Sequence, residues 1–278
     1  MGSIVWLASY PKSGNTWVRS FLANLISGAE EPVDINSLGR FCVSASSRKW
    51  FQSVAPANAD LDSPEVVAQL RPKMQASLSG LASGTVLVKT HNCLGDVFGV
   101  PLHNMQVTKG AIYIVRNPLD VSVSLANHYG RPLDWVIDFM SKPAAGTKQT
   151  PEMVAEIYNS WSNHVLSWTS RPNPHLHVVR YEDLLDRPDS CFTAIARFSG
   201  LKRTEEQIER AIENSSFETL HRQEQEGGFN EKPDSAKMFF REGKPDQWRS
   251  VLTQAQAERV VSDHRTQMAR FNYVPEDF

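Results

Sequence analysis

The stretch Ser9-Tyr10-Pro11-Lys12-Ser13-Gly14-Asn15-Thr16-Trp17 collects what is needed to grip a phosphate or sulfate. Lys12 brings a full charge, Ser13 and Thr16 bring hydroxyls, and Gly14 lets the backbone close on a ligand. Three more reactive groups stand at the ends of apolar runs: His91 after 85–90, Arg116 after 111–115 and Tyr181 after 176–180. A histidine with a reference pKa of about 6.5 can take a hydroxyl proton near neutral pH. The planar fork of an arginine suits phosphate oxygens.

The elements that must position these groups read as follows. Residues 4–8 form a short apolar run suited to a buried parallel strand. After Trp17, Val18, Phe21, Leu22, Leu25 and Ile26 recur at helical spacing. The loop therefore empties into a helix N-terminus, whose free N–H groups and dipole favour an anion. The nucleoside-triphosphatase loop G-x-x-x-x-G-K-[ST] has lysine after its second glycine, whereas Lys12 precedes Gly14.

Further strands are predicted over 85–91, 111–116 and 176–181. Between them, Asp62 caps a helix with Glu65 at its third position, running to about Leu81 and stopping near Gly84. Asn117 caps and Pro118 opens a helix through about Tyr129. Thr150-Pro151 starts another, closed by Arg171-Pro172. Thr204 with Gln207, and Thr253 with Gln256, are capping-box starts. Residues 28–62 are irregular but hold Phe41, Trp50 and Phe51, so they fold over something. Residues 225–247 form a long loop without a period, of the kind that is functional or mobile. The pattern predicts one α/β/α three-layer domain over 1–278, with a mainly parallel sheet and ligands beyond the strands' carboxyl ends.

The totals exclude several classes. A chain of 278 residues with 41% hydrophobic and 22% charged residues is an ordinary globular composition. A net charge of −2 gives no general pull toward nucleic acid or anionic membrane. No apolar run reaches the roughly 18 residues of a span. Cys42, Cys93 and Cys191 form no C-x-x-C pair, so free thiols in a reducing compartment are expected. Met1-Gly2 is followed by Trp6 where myristoylation wants Ser or Thr, and no basic leader precedes the first strand. The expectation is a cytoplasmic protein. His175 and His177 share a strand face but lack a third ligand, so no metal site is expected. Trp135, Phe139, Trp161 and Trp168 are expected to pack in the core or at its edge.

Four motifs, in order from residue 10 to 248, resemble sulfotransferases that use 3′-phosphoadenosine-5′-phosphosulfate. They are the loop from Tyr10 to Trp17, Val88-Lys89-Thr90-His91, Arg116-Asn117-Pro118-Leu119-Asp120-Val121-Ser122-Val123-Ser124, and Arg241-Glu242-Gly243 with Trp248. Tyr181-Glu182-Asp183 and Ser215-Ser216-Phe217 resemble weaker elements near the adenine. The resemblance implies a P-loop-like 5′-phosphosulfate loop from Pro11, Lys12, Ser13, Gly14, Asn15 and Thr16, with Trp17 and Phe217 on the two faces of the adenine. It implies that Arg116, Ser124, Arg241 and Gly243 hold the 3′-phosphate, with Tyr181 and Ser215 nearby. His91 would be the general base toward a small-molecule hydroxyl, Lys12 would stabilise the leaving oxygen and Lys89 would assist, with no metal needed.

Departures from the family pattern are specific. Glu242 stands where lysine is common, with Lys244 two positions on. The residues before the first strand are few, which implies an acceptor site walled by other loops and favours a bacterial-type tailoring enzyme. Phe41, Trp50, Phe51, Phe98, His128 and Tyr129 are candidate wall residues. The family's dimer motif is only partly present, as Arg249, Thr253, Gln254 and Glu258, leaving monomer or homodimer open. Two other functions stay open. A small-molecule kinase is opposed by the loop order and by the lack of a magnesium carboxylate. A non-catalytic nucleotide-binding protein is opposed by the presence of both Lys12 and His91.

Overall fold

From Ile4 onward every residue of the first strand, β1 (Ser3–Ser9), is buried, because helices cover both of its faces. In the computed structural model, which describes residues 2–278, the chain continues through α1 (Asn15–Ser27), a 3₁₀ turn (Ile35–Arg40), β2 (Cys42–Ser44), α2 (Arg48–Gln52) and α3 (Pro64–Ser79). Next come β3 (Thr85–Thr90), a hairpin of β4 (Asp96–Val97) and β5 (Val100–Pro101), β6 (Thr108–Val115), α4 (Pro118–Tyr129), α5 (Leu133–Ser141) and α6 (Trp161–Thr169). The last third holds β7 (Leu176–Arg180), α7 (Tyr181–Asp186), α8 (Pro188–Phe198), α9 (Glu205–Asn214), α10 (Phe217–Gly227), α11 (Trp248–Val251) and α12 (Gln254–Arg270).

The main sheet has the order β2-β3-β1-β6-β7 and every pairing in it is parallel. Side-chain alternation divides the core. Ile4, Trp6, Ala8, Val88, Tyr113 and Val115 face a cluster with residues of α3, α4, α5, α6 and α12. Val5, Leu7, Leu87, Ile112 and Ile114 face α1, α8 and α9. The result is the mainly parallel three-layer fold expected from alternating strands and helices. The chain reverses sheet direction on either side of β1, which puts the ends of β1, β3 and β6 at the topological switch where such sheets bind ligands.

Several local expectations are corrected. Ser63, not Asp62, caps α3: its hydroxyl accepts from Val66 N, Glu65 is the second helical residue, and the helix ends at Ser79. Tyr181 is not the end of a strand but the first residue of α7. No helix starts at Thr150. The Thr150 hydroxyl accepts from the Glu152 and Met153 amides, and the segment then runs extended. Val154 N donates to Ser46 O, Ile157 N to Asn92 Oδ1 and Tyr158 N to Ala145 O, so these donors serve other segments and not a helical ladder. A helix begins only at Trp161, capped by Ser160. Within 28–62, Phe51 is fully buried, as its aromatic content suggested. Trp161 and Trp168 are buried, but Trp135 is 42% exposed. No helix among the described residues is long and apolar enough to cross a membrane.

Candidate active site

The loop leaving β1 turns sharply at two residues with positive φ, Lys12 at 65° and Gly14 at 100°. Gly14 is required there twice over. Besides its φ, a Cβ would lie 2.7 Å from Cδ2 of Tyr181. Gly14 caps α1 without a side-chain hydrogen bond, leaving the first N–H groups of the helix available. Asn15 ties the loop back by donating to Leu7 O at 3.1 Å and Ser9 Oγ at 3.3 Å. Arg116, at the end of β6, donates to Lys12 O at 3.0 Å and lies 4.3 Å from the Tyr181 ring centroid.

The closing segment reaches the same place from the other end of the chain. Glu224 accepts from the Phe239 and Phe240 amides at 2.7 and 2.8 Å, and Asp120 accepts from the Asp246 and Trp248 amides at 2.8 and 3.1 Å. Between these anchors Gly243 has φ 62°, and a Cβ on it would come within 2.4 Å of Phe217. Arg241 donates to Gln247 Oε1 and pairs with Glu242 at 3.5 Å, so Glu242 does offset the charge of this segment. The Lys12 ammonium lies 3.5 Å from the Phe239 ring centroid. Burial, reinforced by the charges of Arg116 and Lys89, pulls its pKa down to about 7.

His91 follows β3. Its Nδ1 lies 2.8 Å from Ser9 O, and a carbonyl can only accept, so Nδ1 carries the proton and Nε2 keeps a free lone pair. The His91 carbonyl accepts from His164 Nε2 at 3.1 Å, and its amide donates to Glu156 at 3.4 Å. Burial, with Lys89 adding to it, lowers the pKa of His91 to about 3. This lies below the range near pH 6–7 expected from the reference value, so the imidazole is neutral there, with burial disfavouring its charged form.

These groups line one cavity of about 760 Å³. Of the residues expected in the site, Pro11, Lys12, Gly14, Asn15, Thr16, Trp17, Lys89, His91, Arg116, Ser124, Tyr181, Phe217, Arg241 and Gly243 all line it. Ser13 and Ser215 do not. Ser13 is buried behind the loop, and the Ser215 hydroxyl donates to Ala211 O at 2.7 Å inside its own helical turn. Of the candidate wall residues, Trp50, His128 and Tyr129 line the cavity; Phe41 does not, Phe51 is in the core, and Phe98 is 52% exposed. Sequence reasoning missed Arg19, Glu156, Tyr158, Glu231 and Phe239, all of which line it as well.

Ser13 Oγ, Trp17 Nε1 and Arg116 Nε are buried without a hydrogen-bond partner. Arg116 lines the cavity beside a lysine and two glycine cradles, and this fits an anionic nucleotide, because its orphaned Nε would gain an acceptor from it.

A parallel α/β fold with an anion loop at its switch point and a histidine opposite defines a group-transfer site. The family described as sulfotransferase domain matches residues 3–272, and the chain belongs to that family. It is 26% identical over 276 residues to sulfotransferase 1A1 of Canis lupus familiaris, covering 94% of this chain and 82% of that one. It is 29% identical over 278 residues to cytosolic sulfotransferase 13 of Arabidopsis thaliana, covering 93% and 74%. The fold is similar to mouse sulfotransferase SULT7A1 complexed with PAP, with TM-score 0.62, 19% identity, and 97% and 85% of the two chains covered. It is also similar to retinol dehydratase in a complex with retinol and PAP, with TM-score 0.64, 21% identity and 95% and 81% covered.

Proposed function

We propose that this chain transfers a sulfuryl group from 3′-phosphoadenosine-5′-phosphosulfate to the hydroxyl of a small molecule, with His91 as general base. The observation that carries this reading is the continuity of the cavity. The loop after β1, Arg116, the closing segment, Trp50, Tyr129, Tyr158 and His91 all line it, and the His91 ring is tied to Ser9 O at the end of β1 and stands edge-on to Tyr158. A donor held by the loop and an acceptor against the aromatic residues would meet beside Nε2.

In this reading the backbone of the loop and the N-terminus of α1 hold the 5′ end, and Lys12 neutralises charge on the leaving phosphate oxygen. Arg116, Ser124, Arg241 and the Gly243 backbone hold the 3′-phosphate, with Trp17 and Phe217 against the adenine. Lys89 stands on the His91 side and assists with the charge of the sulfuryl oxygens. The acceptor hydroxyl bonds to sulfur as its proton passes to His91 Nε2, and the sulfur–phosphate-oxygen bond breaks. Positioning and charge stabilisation supply the rate, without a covalent enzyme intermediate.

Calorimetry with 3′-phosphoadenosine-5′-phosphate and with ADP tests the donor assignment. The 3′-phosphate should give much tighter binding, and Arg116→Ala should remove most of that preference, about 1.5–3 kcal/mol for a charge-assisted contact. Equal affinity for the two nucleotides would refute it.

A further inference from the structure

Near His91 the cavity wall holds a buried carboxylate, Glu156. Glu156 is only 8% exposed, yet it lines the cavity. One oxygen accepts from Ser46 Oγ at 2.9 Å and the His91 amide at 3.4 Å, and the other accepts from the Tyr158 hydroxyl at 3.3 Å. All three donors are neutral, and no ion pair within 4.0 Å involves Glu156 among the described residues. The Arg71 guanidinium senses this charge from beside the Phe51 ring, 5.4 Å from its centroid, without pairing with it. Lys49 lines the same region but lies over Trp50, 4.8 Å from its centroid.

Aromatic rings complete the surroundings. The Tyr158 ring stands edge-on to His91 at 6.3 Å and packs against Phe139, which in turn meets Tyr129 at 6.0 Å. A buried carboxylate without a cationic partner is costly, and aromatic faces attract cations. A ligand that supplies a cation at this point would offset the first and use the second.

We infer that the acceptor carries a protonated amine as well as the hydroxyl that is sulfated, and that Glu156 selects for it. The hydroxyl meets His91 Nε2, while the ammonium meets Glu156 beside Tyr158 and Tyr129. The inference rests on the sulfotransfer reading above, and adds to it the acceptor's charge. Glu156 thereby acts in specificity, in addition to clamping the His91 amide.

The test compares tyramine, N-acetyltyramine and 4-ethylphenol, binding to the protein saturated with 3′-phosphoadenosine-5′-phosphate and turning over with the phosphosulfate donor. Tyramine should be preferred at least tenfold over both neutral phenols in affinity and in kcat/KM. In Glu156→Gln the ratio should collapse toward one. Equal or reversed preference in the unaltered protein overturns the inference, as does a preference that survives in the variant, or binding of none of the three. The ligand series with the unaltered protein decides the matter even if the variant does not fold. Nucleotide binding, measured in the same samples, reports separately on the donor reading.

Discussion

Arg19 and Glu231, 212 positions apart in the chain, form a bifurcated ion-pair contact: Arg19 Nη1 donates to Oε1 at 2.9 Å and to Oε2 at 2.8 Å. The guanidinium is 2% exposed, and Lys89 Nζ lies 3.8 Å from the same carboxylate. The charges of Lys89 and Arg19 hold Glu231 down to about 2. One carboxylate thus joins the helix behind the anion loop, the lysine beside His91 and the segment that carries Arg241.

Glu231→Gln should accordingly cost about 1–3 kcal/mol of stability, since Arg19 keeps its charge and loses its counter-ion. Hydrogen exchange should rise through residues 228–243. Because the partners touch, the double variant Arg19→Met/Glu231→Gln should cost less than the sum of the single ones in denaturant titrations. Strict additivity would remove the proposed coupling.

Lys12 offers a second expectation. Its pKa of about 7 belongs to a desolvated ammonium beside the cations Arg116 and Lys89, whose effect the Glu224 carboxylate opposes only in part. An anionic nucleotide favours the protonated form and raises that pKa, so binding at pH 8 should take up close to one proton. Affinity should fall as pH rises above about 7, by up to tenfold per unit until the bound-state pKa is reached. Calorimetry in buffers of different ionisation enthalpy checks the proton count, and Lys12→Met should bring it to zero.

Acid stability should report the buried histidines. His103 and His164 are lowered to about 3, chiefly by burial, and His264 to about 4 by burial. His164 accepts from Tyr113 OH at 2.8 Å through Nδ1 and donates through Nε2, an arrangement only the neutral ring can make. Since an unfolded histidine titrates near 6.5, the unfolded chain binds more protons than the native one below that pH. Stability is present in full above about 6.5 and falls as pH drops toward 3, by roughly 1.4 kcal/mol per unit for each such histidine. Urea titrations from pH 7 to pH 4 should show this slope, and His264→Gln should flatten it.

How far the sequence could be read follows from where each signal lies. The strand–turn–helix from β1 to α1 and the capping boxes at Thr204 and Thr253 are local patterns, and the structure has them where residue spacing put them. The run after Thr150 misled because its propensities do not show that its amides are claimed by Ser46, Asn92 and Ala145. Glu156, Arg19 and Glu231 carried no motif, and their roles arise only when segments distant in sequence meet. The free Nε2 of His91 and its depressed pKa depend on Ser9 and on burial, which a reference pKa does not contain. A carboxylate at 231 in an aperiodic loop gives no hint of a buried arginine on the first helix.

Transfer of labelled sulfuryl from the phosphosulfate donor to a phenolic acceptor, in the unaltered protein and in His91→Ala, tests the central claim most directly. Turnover should fall roughly 10²–10⁴-fold in the variant while nucleotide affinity stays within a few-fold. In the unaltered protein no acid limb attributable to His91 should appear between pH 5 and 8, because the ring is already neutral there. Near-normal turnover by His91→Ala would contradict the account.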